Sequence, residues 1–178
     1  MSEGIVFPAV PRGTLLAEAE RVARLDEAMP QILAAVRGER DPIVVQATLA
    51  SLLWEALPHA SWVGFYRRVA PRELAVGPYQ GPMGCVRISF DRGVCGACAR
   101  TAEPQLVPDV RVFPGHIACD GATLSELVLP VLHGDVVRAV LDLDSHHPAA
   151  FSAAERDRLA PFLAEAFPRS IEWPEVAQ

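Results

Sequence analysis

Between Glu126 and Leu143 the chain reads as two apolar runs separated only by a tight turn. Glu126-Leu127-Val128-Leu129-Pro130-Val131-Leu132 leads into His133-Gly134-Asp135, and Val136 to Leu143 returns. A connection this short, with Gly at its centre, cannot hold a crossover helix, so the two runs must pair antiparallel. The same logic applies upstream. Ser61 to Arg68 and Glu73 to Tyr79 flank a turn at Pro71-Arg72, Cys85 to Ser89 is a third short strand, and Gln105 to Pro108 is strand-like. Tight turns between neighbouring strands predict a mostly antiparallel sheet.

Helical patterns flank and interrupt these strands. Thr14 is a capping residue for a helix from about Leu15 to Arg37, with a break near Ala28 imposed by Pro30 and a stop at Gly38. Asp41-Pro42 opens a second helix that ends before Pro58. Val94 to Ala102 is a short helix, and Ser152-x-x-Glu155 is a capping box for a last one to about Phe167. The fold class is therefore α+β, with helices packed on the sheet. We divide the chain into an N-terminal extension and helix (1–40), a main α+β domain (41–170) and a C-terminal tail (171–178).

Apolar residues make up 51% of the 178, enough for a core without covalent staples. A net charge of −6 gives no basic face for nucleic acid. No run approaches the roughly 18 apolar residues of a membrane span. The first residues, Met1-Ser2-Glu3-Gly4-Ile5, carry neither a basic n-region nor an apolar h-region. The expectation is a cytoplasmic protein whose four cysteines are reduced, catalytic or metal-bound.

All four cysteines, Cys85, Cys95, Cys98 and Cys119, lie in one Gly- and Pro-punctuated stretch from Gly81 to Asp144. Three readings compete. Cys95-x-x-Cys98 with His116-x-x-Cys119 has ligand types and spacing for zinc. Alternatively, Cys119 in the long loop 109–124, three residues after His116, is a nucleophile with other thiols to resolve it, and Cys95 opens a helix whose dipole favours the thiolate. The third reading is small buried apolar residues, which suits Cys98 among Ala97, Ala99 and Ala102. Size argues against zinc, because small zinc domains use the metal in place of a core that this chain possesses.

Asp142 and Asp144 alternate with Leu141 and Leu143, so both point to one side of a strand. Counting back through the hairpin places Glu126 near position 142. Three carboxylates at one sheet edge raise one another's pKa, and one of them then holds a proton near neutral pH. Trp62 and Tyr66 share a strand face with Gly64 between them, a spacing that leaves a gap for a small apolar or sulfur-bearing group.

Taken together, Trp62-Val63-Gly64-Phe65-Tyr66, Gly93-Val94-Cys95-Gly96, the run from Phe113 through His116-Ile117-Ala118-Cys119-Asp120, Ser125-Glu126 and Leu141-Asp142-Leu143-Asp144-Ser145 resemble the free methionine-(R)-sulfoxide reductases, which are GAF-domain enzymes. The similarity spans roughly Pro42 to Phe167. It implies a GAF-like, six-stranded, mostly antiparallel sheet closed by loops over a small pocket. It implies Cys119 as nucleophile, Cys85 and Cys95 as resolving thiols, and a Cys85–Cys119 disulfide as the oxidised form. It also implies that Trp62 and Tyr66 hold the substrate methyl, and that Asp109, Glu126, Asp142 and Asp144 contact the sulfoxide oxygen and the amino group.

In the same reading, Glu126 supplies the proton that makes a sulfoxide electrophilic. Backbone N–H groups near His116, Ile117 and Cys119 hold the substrate carboxylate. No cofactor or metal is required. Thioredoxin or a similar dithiol resets the enzyme, and the reading leaves a homodimer open. The competing expectation is a GAF-like module that binds or senses a small molecule without turnover.

Overall fold

The computed structural model describes residues 7–117 and 119–176. Its strands are β1 (Trp62–Ala70), β2 (Glu73–Gln80), β3 (Arg87–Ser89), β4 (Gln105–Val107), β5 (Ser125–His133) and β6 (Val136–Ser145). They form one six-stranded sheet in the order β3-β2-β1-β6-β5-β4, every neighbouring pair antiparallel. The helices are α1 (Glu18–Ala35), α2 (Pro42–Ala56), α3 (Gly93–Thr101) and α4 (Ala153–Ala166), with a 3₁₀ turn at Val110–Val112. Among the described residues no helix is long and apolar enough to cross a membrane.

The two-residue period of the strands divides the molecule into two cores. Val63, Phe65, Leu127, Leu129, Leu141 and Leu143 face α1, α2 and α4. Trp62, Tyr66, Val128 and Val140 face the other way, toward α3 with Cys95 and Cys98. Both sheet faces are thus buried, which explains why the strands read as continuous apolar runs. Asp142 and Asp144 share the α3 face with Val140.

Three local expectations are corrected. The first helix begins at Glu18 rather than after Thr14, with the Glu20 carboxylate accepting from the Ala17 N–H at 3.1 Å. It runs unbroken through Pro30, because both Pro30 and Asp26, whose carbonyl loses its donor, face solvent. Cys85 and Val86 precede β3 instead of belonging to it. The remaining helix starts match their signals. Asp41 caps α2 by accepting from Ile43 N–H at 2.8 Å, and Ser152 and Glu155 form the reciprocal capping box of α4.

Candidate active site

On the α3 face, antiparallel pairing sets the carboxylates side by side. Glu126 of β5 is opposite Asp144 of β6, and Asp144 is opposite Trp62 of β1. One row along, Val128, Asp142 and Gly64 are aligned in the same way. Glu126 therefore pairs two positions beyond the expected partner. The hairpin carries an irregularity between Val131 and Leu132 that adds one residue to β6.

Helix α3 closes this face. Gly96 lets its first turn lie against the chain leaving β3, since a Cβ there would collide with the Ser89 carbonyl. Gly93, at φ +68°, turns the backbone into the helix and donates its N–H to the Gly115 carbonyl at 2.9 Å. The Gly-Val-Cys-Gly run thereby seats Cys95 over the carboxylates. The Cys95 Sγ lies 3.9 Å from Glu126 Oε1.

The loop after the 3₁₀ turn brings Cys119 in from the opposite side, where it is joined to Cys85 by a disulfide with Cα atoms 5.2 Å apart. Asp120, next in sequence, accepts from His146 Nε2 at 2.8 Å and from Ala122 N–H at 2.9 Å. The Leu124 N–H donates to the Ser145 carbonyl at 2.8 Å. The cysteine-bearing loop is thus pinned to the end of β6 at two points beside the disulfide. The sequence reading passed over Asp120 and His146. Asp120 follows a cysteine of interest, but its partner is 26 positions away and carries no local signal.

The aromatic pair does not leave a gap. Gly64 has room only for a hydrogen: a Cβ would sit 2.6 Å from the Trp62 ring, which leans across it. Trp62 stacks on Tyr66 at 5.5 Å between centroids and on Tyr79 at 5.1 Å, so three rings form one platform. Trp62 Nε1 donates to the Pro82 carbonyl at 3.1 Å, tying the segment before Cys85 to the platform.

Trp62, Tyr66, Cys95, His116, Ile117, Cys119, Asp120, Glu126, Asp142 and Asp144 all line one cavity of about 30 Å³. That is room for about two waters. The backbone N–H groups of His116 and Cys119 are occupied by the carbonyls of Phe113 and Ile117 in this state. Asp109 does not line the cavity. It caps the 3₁₀ turn and grips Arg111 in a two-point ion pair at 2.8 and 2.7 Å, which holds its carboxyl down at about 2. The proposed zinc set is not assembled either, because the Cys119 sulfur is bonded to Cys85.

Burial dominates the electrostatics. It pushes Glu126 well above the ordinary carboxylate range, with the charges of Asp142 and Asp144 adding to it. Burial also raises Asp142 to about 6. Asp144, part-exposed but crowded by protein, is raised by burial and then by Asp142 and Asp120. Cys95 is 3% exposed, and burial plus the carboxylates Asp142 and Glu126 push its thiol far up. The expected thiolate at the helix start is therefore overturned, because the dipole of a nine-residue helix is weaker than burial among carboxylates. Cys98 is fully buried, and burial raises it likewise. Asp142 Oδ1 is buried without any hydrogen-bond partner, an open acceptor next to the cavity.

A GAF domain family profile matches residues 39–166. The chain is 39% identical over 132 residues to the free methionine-R-sulfoxide reductase of Escherichia coli, covering 74% of this chain and 79% of that one. It is 37% identical over 145 residues to the Saccharomyces cerevisiae enzyme of the same name, covering 75% and 81%. The chain belongs to the free methionine-R-sulfoxide reductases of the GAF domain family. Its fold superposes on the free methionine-R-sulfoxide reductase of Neisseria meningitidis, solved in complex with its substrate, with a TM-score of 0.80 at 35% identity over 89% of this chain and 95% of that one. Within this family, the site assembled here is a dithiol–disulfide pair facing a row of protonatable carboxylates.

Proposed function

We propose that this protein reduces free methionine (R)-sulfoxide to methionine by thiol chemistry. The observation that carries the reading is the Cys85–Cys119 disulfide beside the buried carboxylates Glu126 and Asp142 and the part-exposed Asp144. In the reduced state the Cys119 thiolate attacks the sulfoxide sulfur while Glu126, kept protonated by its surroundings, delivers its proton to the departing oxygen. The protonated oxygen then passes from the substrate sulfur to the Cys119 sulfur as the transient bond between the two sulfurs breaks, so methionine leaves and Cys119 becomes a sulfenic acid. Cys85 attacks that sulfur, releasing water and forming the disulfide. A thioredoxin-class dithiol of the cytoplasm restores both thiols by exchange. Sulfoxide plus two thiols thus become thioether, disulfide and water.

Trp62 and Tyr66 supply an aromatic wall for the S-methyl group, and Asp142 and Asp144 receive the ammonium. The unpartnered Asp142 Oδ1 supports this, since an ammonium supplies the hydrogen bond it lacks. His116 and Ile117 border the same space. Cys95 remains a thiol in this reading, because burial among carboxylates opposes the anion that resolution needs.

The test is methionine formation from racemic sulfoxide with excess dithiothreitol. The R half should be consumed and the S half left, and N-acetylation should make the substrate poor by removing the ammonium. Cys119→Ser should lower turnover by at least about a thousandfold with unchanged circular dichroism. Stoichiometric binding of the sulfoxide without catalytic methionine release would replace the enzyme with a redox-sensing GAF module.

A further inference from the structure

Cys95, Glu126 and Asp142 come from three separate elements: the first turn of α3, β5 and β6. One donor atom from each lies within 4.8 Å of the other two. All three residues are nine-tenths or more buried, at 3%, 6% and 5% exposed. One further observation points to a missing electrophile: Asp142 Oδ1 is buried and bonded to nothing. Three electron-rich groups converge there, and no cation among the described residues offsets them.

We propose that Cys95, Glu126 and Asp142 form a binding site for a thiophilic divalent cation of the zinc class. One sulfur and two carboxylates are borderline-soft donors, which suit zinc or cobalt better than magnesium or calcium. A cation centred among donors at the 4.8 Å limit sits about 2.8 Å from each. Each donor must therefore close by at most about 0.5–0.8 Å to reach zinc bond lengths of about 2.0–2.3 Å. Side-chain torsions supply that much without moving the sheet. The fourth position falls to water, since Cys119 is held in its disulfide. Binding exchanges the Cys95 S–H bond for an S–metal bond and the Glu126 carboxyl O–H for an O–metal bond, releasing both protons to solvent with no change in oxidation state.

The size of the cavity sharpens the idea. At about 30 Å³ it has room for an ion and a water. In the disulfide state the cation binds with the Cys119 sulfur withdrawn from its coordination. In the reduced protein it occupies Asp142, which we assign to the substrate ammonium, and Glu126, which we assign to proton delivery, so it acts as a competitive inhibitor. That second arm rests on the proposed function; the first does not.

The experiment uses the full chain, metal-stripped and oxidised, titrated with Co²⁺ as a spectroscopic probe. The expected result is one equivalent bound with thiolate-to-cobalt charge-transfer absorption, bleached by one equivalent of Zn²⁺. Cys95→Ser should abolish the band, and Cys98→Ala should keep it. Glu126→Gln and Asp142→Asn should each weaken binding by at least about tenfold. These two report independently if the Cys95 variant loses its fold by circular dichroism. No charge-transfer band, a band that survives Cys95→Ser, or one that needs Cys98 would overturn the site. Cobalt binding by oxidised protein that never turns over sulfoxide would sink only the enzymatic reading.

Discussion

Among the described residues, two clusters of ionisable groups are buried, one on each face of the sheet, and they behave in opposite ways. On the helical face, Arg21 and Glu155 tie α1 to α4. Arg21 Nε and one terminal nitrogen donate to the two Glu155 oxygens at 3.1 and 3.0 Å, and Glu155 also accepts from the Ser152 N–H at 2.9 Å. His59 lies beside them with Nε2 3.6 Å from the carboxylate, and burial pushes its imidazole down to about 3, so it stays neutral. On the α3 face, Glu126, Asp142, Asp144 and Cys95 are all acids, and one buried oxygen has no partner. Burial alone therefore does not distinguish a site from a strut. What does is the accounting of charge: Arg21 and Glu155 neutralise each other beside a neutral His59 whose two ring nitrogens are themselves unpartnered, and the second cluster becomes neutral only by taking up protons or a cation.

The largest separation between the clusters should appear in stability. Glu155→Gln leaves the buried Arg21 guanidinium without a counter-charge and with at most one of its two hydrogen bonds to residue 155, and urea melts should report a loss of about 3 kcal/mol with unchanged kcat. Replacing both residues, Arg21→Met with Glu155→Leu, should cost much less than the sum of the single changes. Equal additivity would mean that the pair is not the strut described here.

Glu126→Gln should do the reverse. An amide keeps the shape but has no carboxyl proton to give, so kcat should fall by about a hundredfold with little change in the melt. A variant that keeps kcat but loses stability would move Glu126 into the structural class.

Asp142→Asn should move both quantities, in opposite directions. Asp142 titrates near 6 in the folded protein against about 3.9 in an unfolded chain. Its raised value favours the fold below about pH 4, and that contribution is lost as the pH climbs through 6. At pH 8 the asparagine variant should therefore be more stable than the parent by about 1–2 kcal/mol. Its KM for the free amino acid should rise about tenfold, because the ammonium loses a charged acceptor. A parent that gains stability steadily from pH 5 to 8, at a rate matched by the variant, would remove the strain we assign to this carboxylate.

The smallest effect belongs to the pin on the Cys119 loop. His146 and Asp120 are partly exposed, so His146→Ala should change stability by less than about 1 kcal/mol and kcat/KM by no more than about fivefold.

Much of the α3-face cluster was legible in the sequence, for a reason rooted in strand geometry. The hairpin count placed Glu126 opposite position 142 instead of Asp144, yet a two-residue offset keeps a side chain on the same face. The acidic row survived the error. The Cys85–Cys119 bond that the family resemblance implied is the one the structure holds. What the sequence hid depended on depth and on distant partners. Cys95 reads as a helix-start thiolate until one sees the carboxylates beneath it. Asp109 reads as a fourth acid until Arg111 is seen to occupy it. Glu155 reads only as a capping residue, because Arg21 lies 134 positions away. Pro30 reads as a break because the sequence does not reveal that its side of the helix faces water.

The disulfide carries a consequence for how such an enzyme would respond to its surroundings. While the Cys119 sulfur is held by Cys85, the oxidised form has no thiol there with which to attack a second sulfoxide. Reductant and sulfoxide then react with different states of the protein. When dithiol is scarce, the protein accumulates in a form that cannot reduce sulfoxide, and throughput follows the supply of electrons.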